Sequence, residues 1–238
     1  NADIKVKNLK KGQLIYLKGQ KNLLGFDLSV PGDPSSVAPF IVLALMTPNS
    51  KLMIKNVNCN KTRLGFIKIL KKMNANIKIL NVKKKYGELV GNILIKSSSL
   101  KPINCPKNLV PFAIDEFPLL FIISSLVKGI SKFKDIGELR NKEADRIKNI
   151  EIGLKKIGIK TKSTKDSLTI KGNPNIKIKK TLKIFPKEDH RIAMAFFCLG
   201  QLTDGNIKIN DFQTVNTSFP KFLYIMKKIG ASFEIKTN

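Results

Sequence analysis

The chain has 238 residues, 42% of them hydrophobic, and carries 44 Lys and Arg against 17 Asp and Glu, a formal net charge of +27. That apolar content supports a buried core and argues against disorder, and the length allows one large domain or two small ones of the usual roughly 100–200 residues. The longest apolar runs, 39–46, 117–127 and 192–199, fall short of the roughly 18 residues needed to cross a bilayer, and residues 1–11 hold no signal-like apolar segment, so the expected location is cytoplasmic.

Cys59, Cys105 and Cys198 are odd in number, far apart and without a C-x-x-C pair, which disfavours a disulfide framework or a structural zinc site. His190 is the only histidine, so a histidine-rich metal site is excluded, while a carboxylate-bound magnesium is not. The charge puts nucleic acid first among partners to weigh. However, the lysines spread from Lys5 to Lys236 without a dense patch, there is no Trp, and only three Tyr could stack bases, so a solvated lysine-biased surface is expected instead. Only Arg63, Arg140, Arg146 and Arg191 are arginine. In such a chain the few guanidiniums are candidates for sites that need a planar fork on carboxylate or phosphate.

Residues 1–30 read as the closing strands of a preceding domain, with Pro31-Gly32 as a hinge. Three units then follow. In 31–100, Asp33-Pro-Ser-Ser opens an apolar helix over 37–46, a strand is expected over 51–57, an amphipathic helix runs from Phe66 to Lys71-Lys72, Asn74 makes a turn, and strands follow, the last over 89–96. In 101–175, Asp115-Glu precedes an apolar helix over 117–127. A strand over 130–134, a helix from Ile150 to Lys155-Lys156, a turn at Gly158 and a strand over 167–171 complete the unit. In 176–238, Asp189-His-Arg precedes a helix over 192–199, then a strand over 206–210, a helix from Phe222 to Lys227-Lys228, a turn at Gly230 and a short strand ending at Lys236. Asn74, Gly158 and Gly230 stand where a residue tolerant of positive φ is wanted.

One period further back, Asn1-Ala-Asp-Ile-Lys matches Asn74-Ala-Asn-Ile-Lys, which suggests the last turn of a fourth copy and hence the C-terminal part of a longer protein. The first helix of each unit is apolar nearly all round, so the expected fold is α/β with mixed sheets. Its three units pack as one pseudo-threefold domain, helices inside and sheets outside.

Asp33, Asp115 and Asp189 sit at helix starts, where each would stabilise by about 1 kcal/mol as an N-cap. If the packing brings the three starts together, their dipoles make an anion-attracting surface with carboxylates available for proton transfer. The densest charge cluster is Glu138-Leu-Arg-Asn-Lys-Glu-Ala-Asp-Arg146. Read as helical, it puts Lys142 and Arg146 on one face, where like charges repel by a few tenths of a kcal/mol unless an anion lies between, with Glu143 beside them. Lys187-Glu-Asp-His-Arg191 adds the lone histidine and another arginine at the start of a buried helix, so three helix starts offer acid, acid plus base, and cation.

Asp115-Glu-Phe-Pro, Leu139-Arg-Asn-Lys-Glu-Ala-Asp-Arg146 and Asp189-His-Arg191, with Pro31-Gly-Asp-Pro-Ser-Ser36 upstream, resemble the C-terminal portion of the 5-enolpyruvylshikimate-3-phosphate synthase family over essentially the whole chain. The resemblance implies two domains, each of three βαβαββ units, and a monomer when full length. It also implies transfer of the enolpyruvyl group of phosphoenolpyruvate to the 5-hydroxyl of shikimate 3-phosphate, in the shikimate pathway to chorismate and aromatic amino acids, with no metal or organic cofactor. By that likeness Asp115 is the proton acceptor near the shikimate 3-phosphate hydroxyl and Glu143 moves the proton on the enol methylene. Lys142 binds shikimate 3-phosphate, Arg146 and Arg191 hold phosphoenolpyruvate, and His190 is a pocket neighbour. Thr217, in Val215-Asn-Thr-Ser-Phe-Pro220, stands where some members place a ligand-binding lysine, and Glu138 where some place a substrate-contacting asparagine. Because part of the cationic clamp lies in the family's N-terminal half, the chain alone is expected not to turn over. Two rival readings are a transferase acting on a UDP-amino sugar, which shares repeat and chemistry, and an RNA-binding or RNA-end-processing repeat protein.

Overall fold

The structure is a computed structural model that describes residues 4–19, 22 and 24–236; the Asn1-Ala-Asp part of the fourth-copy match lies outside them. The chain divides into two compact units, Asn1–Val30 and Pro31–Asn238. In the first, β1 (Ile4–Asn8) and β2 (Gln13–Leu17) form an antiparallel hairpin with Ile4 opposite Leu17. Its turn closes through Gly12, at φ 87°, whose carbonyl accepts from the Leu9 amide at 3.1 Å. Every residue of both strands is exposed.

The second unit repeats one motif three times. The first copy holds α1 (Pro34–Met46), β3 (Lys51–Asn58), α2 (Gly65–Lys72), β4 (Asn76–Lys85) and β5 (Glu88–Lys96). The second holds α3 (Phe117–Leu126), β6 (Gly129–Phe133), α4 (Arg146–Lys156), β7 (Lys160–Ser163) and β8 (Leu168–Gly172). The third holds β9 (Leu182–Ile184), α5 (His190–Leu202), β10 (Ile207–Ile209) and α6 (Phe222–Lys228). In the first two copies the last strand lies in the middle of an antiparallel sheet, in the orders β3-β5-β4 and β6-β8-β7. Each copy also opens on a parallel contact: β9 beside β10 in the third, reduced to single bridges in the others, Gly32 with Val57 and Asn104 with Lys132. The unit is therefore βαβαββ, its opening strand worn down to a bridge twice.

Asn74, Gly158 and Gly230 adopt positive φ of 72°, 81° and 94°, which ends each second helix on the left-handed residue that lets the chain reverse. One expected strand is not formed: residues 231–236 carry no ladder. Their counterparts β4 and β7 bond to the strand that comes next in the chain.

The core lies where α1, α3 and α5 meet. All ten residues of α3 are buried, as a helix apolar on every side requires. Phe117, Phe121 and Phe133 stack in mutual edge and tilted contacts with centroids 5.1–5.8 Å apart, each ring contributing about 1.5–3 kcal/mol by burial. The sheets lie outside. On β5 and β8 the period-two pattern turns Ile93, Ile95, Leu168 and Ile170 inward, all fully buried.

Candidate active site

The starts of α1, α3 and α5 come together, but their three aspartates do different work. Asp33 caps α1, accepting from the Ser36 amide at 2.9 Å. Asp189 caps α5, accepting from the Arg191 and Ile192 amides at 2.9 and 3.2 Å. Asp115 is no cap: it lies in the 3₁₀ turn Ile114–Glu116 ahead of α3, and its carboxylate is turned to cations. Lys142 Nζ is 3.7 Å from Oδ1, Arg146 Nη1 donates to Oδ1 at 3.1 Å, and Arg191 Nη2 is 3.6 Å from Oδ2.

The charge-dense segment is not one helix. A 3₁₀ turn spans Gly137–Asn141, fastened by the buried Leu139, and α4 begins only at Arg146. Asp145 sets that boundary. Its Oδ1 accepts from the Lys148 amide at 2.9 Å while Arg140 grips its Oδ2 at 2.7 Å. Arg140 in turn donates to the carbonyls of Thr164 and Lys165. Lys142 and Arg146 therefore do not share a helical face, and the repulsion expected between them is relieved by carboxylates: Glu138 holds Lys142 Nζ at 2.6 Å, and Asp115 touches both cations.

Arg146, only 1% exposed, is committed on every nitrogen: Nε to Asp189 Oδ2 at 2.7 Å, Nη1 to Asp115, and Nη2 to Glu143 Oε2 at 2.5 Å. Three carboxylates around one buried guanidinium is the arrangement that meets the cost of burying its charge. Arg191 is more open. Besides Asp115 its Nη1 lies 3.7 Å from Oε1 of Glu116, a buried carboxylate that also accepts from Ser35 Oγ at 2.5 Å. The remaining arginine, Arg63, binds Asp33 at 2.6 Å and Ser35 Oγ at 3.0 Å.

Burial pushes the Asp115 carboxyl up, but Arg191, Lys142 and Arg146 outweigh it and hold the group below the ordinary carboxylate value. For Glu143 burial is likewise outweighed, by a backbone amide and by Arg146. Glu116 goes the other way: burial dominates over Ser35, Arg191 and Arg63 and raises it. His190, half-buried at the first residue of α5, is pushed down by burial and then by Arg191, so its ring is held neutral more firmly than usual. Thr217 is exposed and donates to the Thr214 carbonyl at 2.7 Å within its own 3₁₀ turn, Phe212–Thr217. Among the described residues no cluster of three or more His, Cys, Asp or Glu could hold a metal ion, and no helix is long and apolar enough to cross a membrane.

Sequence reasoning brought forward Asp115, Lys142, Glu143, Arg146, His190 and Arg191, all within this region. It did not give Asp189 its second partner or notice Glu116 beyond its neighbour. The partners in those contacts are 43 and 81 residues apart, and only the threefold packing joins them.

The fold is that of the enolpyruvyl transferases: the transferase NikO from Streptomyces tendae superposes with a TM-score of 0.70, covering 99% of this chain and 52% of that one, at 13% identity. A family model for EPSP synthase (3-phosphoshikimate 1-carboxyvinyltransferase) matches residues 1–226, and the chain belongs to that family. The 3-phosphoshikimate 1-carboxyvinyltransferase of Petrotoga mobilis is 45% identical over 221 residues, 92% of this chain and 51% of that protein. That of Zymomonas mobilis is 38% identical over 237 residues, 98% and 52% of the two. The solved EPSP synthase from Acinetobacter baumannii superposes with a TM-score of 0.88 at 38% identity, covering 99% of this chain and 54% of that one. The chain thus spans about half the length of the relatives it matches. These relatives favour neither the UDP-sugar nor the RNA reading.

Proposed function

We propose that the chain supplies the proton-handling half of a 3-phosphoshikimate 1-carboxyvinyltransferase. That enzyme moves the enolpyruvyl group of phosphoenolpyruvate to the 5-hydroxyl of shikimate 3-phosphate with release of phosphate. The observation that carries this reading is the Asp115 carboxylate ringed by Lys142, Arg146 and Arg191. A carboxylate held by three cations is ionised and ready to accept a proton, but a poor base while they hold it. An arriving anion that takes over Lys142 and Arg191 removes the groups that depress Asp115, so binding itself raises its basicity.

In this scheme Asp115 accepts the proton of the attacking hydroxyl, and Glu143, released from Arg146, serves the enol methylene. Lys142 takes the shikimate phosphate. Arg191 and the outer edge of Arg146, anchored from behind by Asp189, take phosphoenolpyruvate. His190 neighbours the substrates as a neutral ring, and Thr217 does so from the 3₁₀ turn whose Thr214 donates to the Glu188 carbonyl. Residues 31–238 are the three-repeat domain and 1–30 the closing strands of its neighbour, joined at the Pro31-Gly32 hinge.

The charge balance supports the expectation that the chain by itself does not turn over. Asp115, Glu116, Glu138, Glu143 and Asp189 stand against Lys142, Arg146 and Arg191, and Arg63 beside them is paired with Asp33, which leaves few cations to hold two phosphorylated substrates as well. The test is phosphate release from phosphoenolpyruvate with shikimate 3-phosphate, on the reading frame that contains this chain extended upstream, with Asp115→Ala and Arg191→Ala alongside. Activity that needs the shikimate ester and is lost in both variants supports the reading. A folded protein inactive with that acceptor refutes it.

A further inference from the structure

Glu116 is a carboxylate in an expensive place. Its side chain is 7% exposed, and the Ser35 hydroxyl that donates to it would be served equally by a neutral amide. A stitch between α1 and α3 does not need a charge there. The charge has one partner that the stitch does not explain, Nη1 of Arg191 at 3.7 Å. Arg191 is otherwise held by Asp115: the same Nη1 donates to the Asp115 main-chain carbonyl at 3.4 Å, and Nη2 lies 3.6 Å from the Asp115 carboxylate. Behind Glu116 the chain of contacts continues through Ser35 to Arg63 and Asp33, which fixes the carboxylate from the opposite side.

We propose that Glu116 is a positioning residue for Arg191: with the Asp115 carbonyl it holds Nη1 of the guanidinium, so that Nη2 keeps its direction when the Asp115 carboxylate lets go. The consequence for phosphoenolpyruvate rests on the function proposed above, but the positioning itself does not. An arginine left without this contact keeps only its long Nη1 bond to the Asp115 carbonyl and has to be ordered further by each arriving substrate, which weakens binding.

The test uses the fact that the chain has four arginines. In the ¹⁵N-labelled 238-residue chain each gives one Nε–H signal, and side-chain relaxation reports its order on the ps–ns scale. Glu116→Gln keeps an acceptor for Ser35 and removes the charge. The Arg191 signal is expected to become mobile, while that of Arg140, tied to the Thr164 and Lys165 carbonyls, stays as it was. An Arg191 signal unchanged in folded Glu116→Gln overturns the proposal. Should that variant fail to fold, which Arg140 would report, Ser35→Ala takes its place: it loosens the carboxylate from behind, and an unmoved Arg191 there overturns the proposal equally. In the active extended protein Glu116→Gln should raise KM for phosphoenolpyruvate about fivefold, with kcat and the KM for shikimate 3-phosphate within about twofold. If Arg191 loosens but the wild-type protein does not use phosphoenolpyruvate, the positioning stands and the proposed function falls.

Discussion

Asp189 does two jobs with one side chain: Oδ1 closes the first turn of α5 and Oδ2 holds Arg146 Nε, with both residues essentially sealed from water. Asp189→Ala therefore removes a cap and leaves a buried guanidinium short of a partner. The expected loss is about 3–5 kcal/mol, read as a fall in the urea midpoint. Glu143→Gln touches the same guanidinium from a side chain 46% exposed and should cost less than about 1 kcal/mol. Acid acts on two groups of the site in opposite senses. The His190 ring binds a proton less readily folded than unfolded, so stability present above its ordinary value of 6.5 is lost as pH falls below it towards the lower folded value. Glu116, raised by burial, works in the opposite sense: its contribution is lost as pH rises from 4.5 through its folded value. Melting followed between about pH 7.5 and 5 should flatten in His190→Gln and steepen in Glu116→Gln.

At the scale of elements, Gly153 on α4 shows how closely the repeats are fitted. A Cβ there would lie 2.2 Å from Cζ of Phe196 on α5 and 3.2 Å from Cδ1 of Ile184 on β9. Alanine would gain about 1 kcal/mol of helix propensity, while forcing Phe196 aside costs about 1–3 kcal/mol. Gly153→Ala should therefore melt lower, by about 2–4 °C for each kcal/mol lost; a higher midpoint would mean the ring moves freely. The first helices α1, α3 and α5 were legible because each is an unbroken apolar run between polar turns, and the turn residues Asn74, Gly158 and Gly230 because each interrupts a helix ending in a lysine pair. The start of α4 was not. Glu, Lys and Arg through 138–146 suit a helix, and what stops it before Arg146 is an Asp145 cap steadied by Arg140, whose own anchors lie at 164–165. Likewise Asp115 looked like its two counterparts in the repeat, yet only it turns from the backbone to the cations, a difference decided by residues that arrive from α4 and α5.

For the molecule as a whole the charge of +27 matters more than any pair. The lysines spread over the surface repel one another, and salt should relieve this. Raising NaCl from about 10 mM, where the Debye length is about 30 Å, to about 150 mM, where it is about 8 Å, should raise the melting midpoint. The ion pairs of Arg146 are buried and should be weakened little. A midpoint that falls with salt would show instead that exposed pairs such as Lys107–Asp135 dominate. The β1–β2 hairpin has a bearing on handling. A two-stranded ribbon is below the three strands or the packed face that independent stability needs, and among the described residues its strands pair only with each other. Ile4, Val6, Ile15 and Leu17 are all more than half exposed, while Lys10 and Lys11 sit uncovered beside its turn. Trace trypsin would therefore nick the chain first at that turn, and concentrated solutions would stick through the ribbon, long before anything disturbs the three buried helices.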